Sequence, residues 1–81
     1  MTEDQILTEI ANAVAQIMSD KGLQAPAIKA DTELLGGDLP IDSLDLAMLV
    51  REMEERLGFD PFQDGFIEFR TAGELAKLYV R

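Results

Sequence analysis

The sequence predicts a small all-α fold: a four-helix bundle of three main helices and one short one, with a long loop between the first two. Three observations predict it. Apolar residues recur at three-and-four spacing in three separate segments. Each segment opens on residues suited to cap a helix: Thr2, then Asp42 or Ser43, then Thr71. No stretch alternates apolar and polar residues as a half-buried strand does. The 81 residues fit one domain spanning 1–81, helix packed on helix around a single core.

The first helix is predicted from about Thr2 to Asp20. Ile6, Ile10, Ala13, Val14 and Ile17 fall on one stripe, with Leu7 and Met18 beside it. Thr2 can cap the start, with Gln5 three residues on as its capping-box partner. Glu3 and Asp4 suit the positive end of the helix dipole. Lys21-Gly22 closes the helix, a cation near the last carbonyls followed by a residue free to turn left-handed. The long connection runs from Leu23 to Ile41, punctuated by Pro26, Gly36, Gly37 and Pro40. Loops of this length are usually functional or tied down. Leu23, Ile28, Leu34, Leu35 and Leu39 are available as anchors, and Asp31 to Leu35 has the composition of a short helical turn.

The second helix is predicted from about Asp42 to Leu57. Pro40 cannot continue it backwards, because proline lacks the amide hydrogen and biases Leu39 to extended geometry. Gly58 stops it. Leu46, Leu49, Val50, Met53 and Leu57 make the core stripe. Leu44 and Met48 lie nearly opposite, on the same side as Arg51 and Glu55. Rimmed by Asp42, Asp45 and Glu55, they form a candidate docking surface. Isolated exposed apolar residues are also ordinary, so both readings stand at this point.

Phe59, Phe62, Phe66, Ile67 and Phe69 are expected to lid the bundle, with a short helix around Asp64 to Phe69. Thr71-Ala72-Gly73-Glu74 is a second capping-box pattern and opens the last helix. Leu75, Leu78 and Tyr79 give that helix its inner face, with Ala76 and Val80 at the flanks.

Composition narrows the function. Sixteen acidic residues against seven basic leave a net charge of −9. Nucleic-acid phosphates and anionic membranes are repelled by such a surface. Basic patches on other proteins are attracted to it. No apolar run approaches membrane-spanning length. The N-terminus opens Thr2-Glu3-Asp4 instead of a basic region and an apolar run, so the expected compartment is the cytoplasm. There is no cysteine and no histidine. Disulfides, thiolate metal sites and a Ser-His-Asp arrangement are therefore excluded within this chain. The chain is not read as an enzyme, because catalysis would rest on carboxylates or lysine alone.

Three stretches are candidates for chemistry. Ser43 is expected where a loop becomes a helix, flanked by Asp42 and Asp45. A plain helix cap is the ordinary role of such a serine. Against that stand the flanking acids, the outward apolar residues that follow, and the long loop that presents it. No residue close in sequence can activate the hydroxyl, so a reacting Ser43 is a substrate for another protein's chemistry. The second stretch, Asp60 to Glu68, faintly echoes a calcium loop, with Asp60 first and Asp64-Gly65 fifth and sixth. Phe62 stands third and Thr71 twelfth, where ligands belong, so a turn is the better reading. The third, Glu52, Glu54 and Glu55, is interspersed with Arg51 and Arg56 and reads as a solvated charged face.

Asp38-Leu39-Pro40-Ile41-Asp42-Ser43-Leu44-Asp45 resembles the signature of the acyl carrier proteins and the related carrier domains of polyketide and nonribosomal peptide synthesis. Asp42-Ser43-Leu44-Asp45 matches it fully. The stretch from Leu46 to Phe59 is similar to the family's following helix and its end, and Thr71-Ala72-Gly73-Glu74-Leu75 to the start of its last helix. The resemblance covers nearly the whole chain. It implies that a phosphopantetheinyl transferase moves 4′-phosphopantetheine from coenzyme A onto Ser43. The arm's thiol then carries acyl or aminoacyl groups as thioesters. Implied partners are acyl- or aminoacyl-activating ligases, synthases and transferases with basic docking patches, in fatty-acid, polyketide or other secondary biosynthesis. Asp42, Leu44, Asp45, Met48, Glu54 and Glu55 are the implied partner contacts. Val50, Met53 and Ile67 are implied candidates to line an acyl pocket. No metal, nucleic acid, membrane or second copy of the chain is expected. Pro40, where the family usually has glycine, Met48 and Arg51 depart from the fatty-acid carriers and suggest a specialised, free-standing member. The alternative is an acidic helical adaptor that docks a basic protein without modification of Ser43.

Overall fold

A computed structural model of the chain describes residues 2–24, 27–34, 41–63, 65 and 67–80. Among them are three helices, α1 (Glu3–Asp20), α2 (Ser43–Leu57) and α3 (Ala72–Leu78), and no strand longer than an isolated bridge. α1 packs against both α2 and α3.

The ends of α1 follow from its sequence. Thr2 and Gln5 form the capping box: the Gln5 amide donates to Thr2 Oγ1 (3.2 Å), and the Thr2 amide donates to Gln5 Oε1 (2.8 Å). At the other end Gly22 turns left-handed at φ 77°. Its amide reaches the Ser19 carbonyl at 3.0 Å, and the Leu23 amide reaches Met18 at 2.8 Å. This is the Schellman closure that a lysine-glycine pair favours. The buried stripe is Ile6, Ile10, Ala13, Val14 and Ile17, joined by Met18.

The core is completed by Leu34, Leu46, Leu49, Met53, Phe69, Ala72, Leu75, Ala76 and Tyr79. Val50, Ile28, Phe59 and Phe62 are half-buried around it. Several expectations need correcting. Ala76 lies in the core and not at a flank, because α3 turns its small residues, Ala72 and Ala76, toward the interior. Leu78 is half-buried and Val80 exposed. Leu23 and Ile67 are exposed, Ile67 at 44 %, so neither anchors a loop nor lids the core.

Of the segment expected to make a helical turn at Asp31–Leu35, residues 31–34 are described, and they instead run alongside the entry to α3. Glu33 and Thr71 form an antiparallel bridge. Flanking it, the Leu34 amide donates to the Arg70 carbonyl (2.7 Å) and the Ala72 amide to Thr32 (2.9 Å). Inter-segment hydrogen bonds satisfy the backbone groups that a helical turn would otherwise have satisfied locally. Leu35, Gly36, Gly37, Leu39 and Pro40, expected within the long loop, lie outside the described residues.

The expected short helix at Asp64–Phe69 falls partly outside them too, since Asp64 and Phe66 are not described. Residues 67–70 are non-helical. A turn forms just upstream, where Asp60 Oδ1 accepts the Phe62 amide at 2.8 Å and the Gly65 amide reaches the Phe62 carbonyl at 3.0 Å. Asp60 thus shapes a turn, as an aspartate two residues before a free amide does.

Candidate functional site

Ser43 is the first residue of α2, exposed to solvent, with a hydroxyl that makes no hydrogen bond among the described residues. The cap is Asp42. It is extended, at φ −109° and ψ −174°, and its Oδ1 accepts the Asp45 amide at 2.9 Å. Asp45 answers in kind: its Oδ2 accepts the Asp42 amide at 3.2 Å. The two acids beside the serine therefore close a capping box around it. They relieve Ser43 of the capping role, and its side chain is left free.

Asp45 sits differently from the expected docking acid. It is only 7 % exposed, the one buried charged residue in the described core. Its Oδ2, which accepts the Asp42 amide, also accepts from the ammonium of Lys21, the C-cap residue of α1. A buried charge is tolerable only when paired and hydrogen-bonded. Here the Lys21 hydrogen bond holds the Asp45 carboxyl below the usual carboxylate range. The Asp42 amide adds to this, and burial opposes both. Lys21 was expected to face the last carbonyls of α1. Reaching across to α2, it ties the end of one helix to the first turn of the other. The sequence offers no local sign of this contact, because the partners are 24 residues apart.

The outward face of α2 carries Leu44 and Met48, with Asp45 withdrawn from its rim. Leu44 is 70 % exposed and Met48 47 %. Arg51, Glu54 and Glu55 are exposed beyond them. Arg56 leaves this face and pairs with Glu9 of α1 at 2.9 Å and with Glu52 at 3.3 Å. Glu52, Glu54 and Glu55 do not converge, and no carboxylate cluster able to hold a metal ion occurs among the described residues.

The chemistry open to this arrangement is narrow. The Ser43 hydroxyl is accessible, but a neutral hydroxyl is a weak nucleophile without a base. Asp42 and Asp45 are occupied with each other's amides, and the nearby lysine is committed to Asp45. The site presents an exposed serine hydroxyl, and no base is placed to activate it among the described residues. Of the implied acyl-pocket residues, Met53 is fully buried and Val50 half-buried, whereas Ile67 faces solvent. Among the described residues, no helix is long and apolar enough to cross a membrane.

Comparison with known proteins agrees with this geometry. A family model described as a phosphopantetheine attachment site matches residues 8–79. Acyl carrier proteins of Chlamydia trachomatis serovars L2 and D are each 33 % identical over 63 residues, covering 78 % of this chain and 80 % of theirs. Among solved structures, the chain superposes with a TM-score of 0.83 on MacpD, an acyl carrier protein from Pseudomonas fluorescens involved in mupirocin biosynthesis. The two are 33 % identical, over 95 % of this chain and 69 % of that one.

Proposed function

This chain belongs to the acyl carrier protein family, whose members work with covalently attached 4′-phosphopantetheine, and from that premise we propose that Ser43 is its attachment residue. The observation that carries the reading is the free hydroxyl of Ser43 on the first residue of α2, held between the two acids of a closed capping box. The residues present fit the group. The hydroxyl is exposed and unbonded, so a transferase can reach it. The amino end of a 15-residue helix favours the negative phosphodiester that attachment places there.

The bound arm supplies a terminal thiol that holds acyl groups as thioesters. The chain's own part is presentation. Asp42 and Asp45 fix the turn that carries Ser43, Lys21 holds Asp45, and Leu44 beside the serine with Met48 about one turn further on offer an apolar handle. A transferase must supply the base that takes the serine proton, since this site has none. Carrier proteins of this family serve a phosphopantetheinyl transferase and biosynthetic enzymes in general. Within that range, the departures at Pro40, Met48 and Arg51 favour a specialised pathway over bulk fatty-acid synthesis. The structural likeness to a carrier involved in mupirocin biosynthesis supports the same choice.

The test is intact mass before and after incubation with coenzyme A and a broad-specificity phosphopantetheinyl transferase. A gain of one phosphopantetheine unit is expected, and none in Ser43→Ala, whose helix content stays unchanged because the cap is Asp42. A folded, unmodified protein that gains nothing with several transferases would leave the adaptor reading, in which the same face docks a basic protein.

A further inference from the structure

The outward meridian of α2 is not the acidic stripe that the net charge of −9 suggests. At about 100° per residue, Leu44, Met48, Arg51 and Glu55 fall within an arc of about 60°. All four are exposed. Arg51 lies at one edge of this arc, next to Leu44 in angle and about 10 Å along the axis from it. Two features shift the charge of the face. Asp45, which by sequence adds an acid to its upper end, is turned inward and paired with Lys21. Arg51 forms no ion pair or hydrogen bond among the described residues, whereas Arg56 one turn on is bound by Glu9 and Glu52. The meridian therefore carries one unpaired cation, Arg51, beside one exposed acid, Glu55, with Asp42 at its rim.

Resting on the carrier reading, we propose that Arg51 makes this face selective. It favours partner enzymes that set a carboxylate beside the apolar surface receiving Leu44 and Met48, and turns away enzymes whose docking patch is basic throughout. Charge complementarity carries the argument. A lysine or arginine placed opposite Met48 to meet the acids meets Arg51 instead, and like charges brought together at an interface oppose association. A single Asp or Glu at that point converts the repulsion into an ion pair at the edge of an apolar contact. Arginine suits the task, because its planar fork grips a carboxylate through two hydrogen bonds.

The experiment uses holo protein, with the wild type and Arg51→Glu both verified by intact mass. Failure of the wild type to become holo counts against the carrier reading and is scored before the comparison begins. The probe is a bacterial fatty-acid-type malonyl transferase with a docking patch of lysine and arginine only, assayed with malonyl coenzyme A. At about 50 mM salt, Arg51→Glu is expected to be loaded with a kcat/KM about three- to ten-fold above the wild type, mainly through KM. The gap should close at about 500 mM salt, where exposed charges are screened. Arg51→Gln should fall between the two, and serves if the reversed charge disturbs the helix. Changing patch lysines of the probe to glutamate, one at a time, should give at least one variant that prefers the wild type over Arg51→Glu. Equal loading of wild type and Arg51→Glu at low salt overturns the proposal. So does a ranking that no patch reversal inverts.

Discussion

Asp42 and Asp45 carry the same side chain three residues apart and have opposite fates. Asp42 stays exposed and caps; Asp45 is buried, caps in return and takes a lysine. Only the second is committed to the folded state by charge. A carboxyl held below its ordinary value binds its proton more readily in the unfolded chain. Its stabilising contribution is therefore complete above the ordinary value and is lost as pH falls through the depressed one. Thermal melts of the wild type and Asp45→Asn should differ most above about pH 4 and converge as acid is added. A gap that stays constant into strong acid would mean that the Lys21 contact contributes nothing by its charge. The sequence marked Asp42 or Ser43 as the cap, because capping is local; the reciprocal box with Asp45 was not read from it. Nor was the burial of Asp45, since it depends on Lys21 arriving from another helix.

At the scale of elements, all three helices open on a capping box: Thr2 with Gln5, Asp42 with Asp45 and Thr71 with Glu74. Local chemistry of this kind is what sequence reads best, and the helix starts were placed accordingly. Faces were harder. The periodicity of α1 and α2 was strong enough to give their cores. α3 is seven residues long, and its inner face mixes Ala72 and Ala76 with Leu75. Alanine carries little hydrophobic signal, so large residues drew the expectation toward Leu78. What decides the face is the strand-like segment passing α3, and above all Gly73. Its amide donates to the Ala30 carbonyl at 2.8 Å. A Cβ there would meet that oxygen at 2.7 Å and the Ala30 Cβ at 3.0 Å. Gly73→Ala should therefore destabilise the protein by about 1–2 kcal/mol in urea unfolding, although alanine is the better helix former. An unchanged or raised midpoint would show that the segment yields without cost.

For the molecule as a whole, the architecture is a hub. α1 packs on both other helices, and its C-cap residue, Lys21, reaches the first turn of α2. Sequence gave the all-helical class because three amphipathic periods with capped ends have few other ways to bury their stripes. It could not supply the Glu33–Thr71 bridge or the approach of Ala30 to Gly73, because neither follows from any local pattern. The candidate site was legible for the same reason as the helix starts: an acid-flanked serine after a proline is a local signal. The charge of the outward face of α2 was not, since it depends on which acid folds inward.

The aromatic end of the core has a practical corollary. Tyr79 is the chain's single tyrosine, and there is no tryptophan. Its ring lies 5.6 Å from that of Phe59, centroid to centroid, and its hydroxyl is buried without a hydrogen-bond partner among the described residues. Burial, reinforced by the negative charges of Asp60 and Glu54, pushes the phenol up to about 12. The unfolded chain ionises it near the ordinary value of about 10. Stability from this group is thus full below about pH 10 and drains away as pH climbs toward the folded value. The protein carries its own optical gauge of integrity. Tyrosinate absorbance should rise only as helical circular dichroism collapses, and any change that loosens the core should bring that rise to a lower pH. Tyrosinate appearing near pH 10 with the helices intact would show that this end of the core is already open to water.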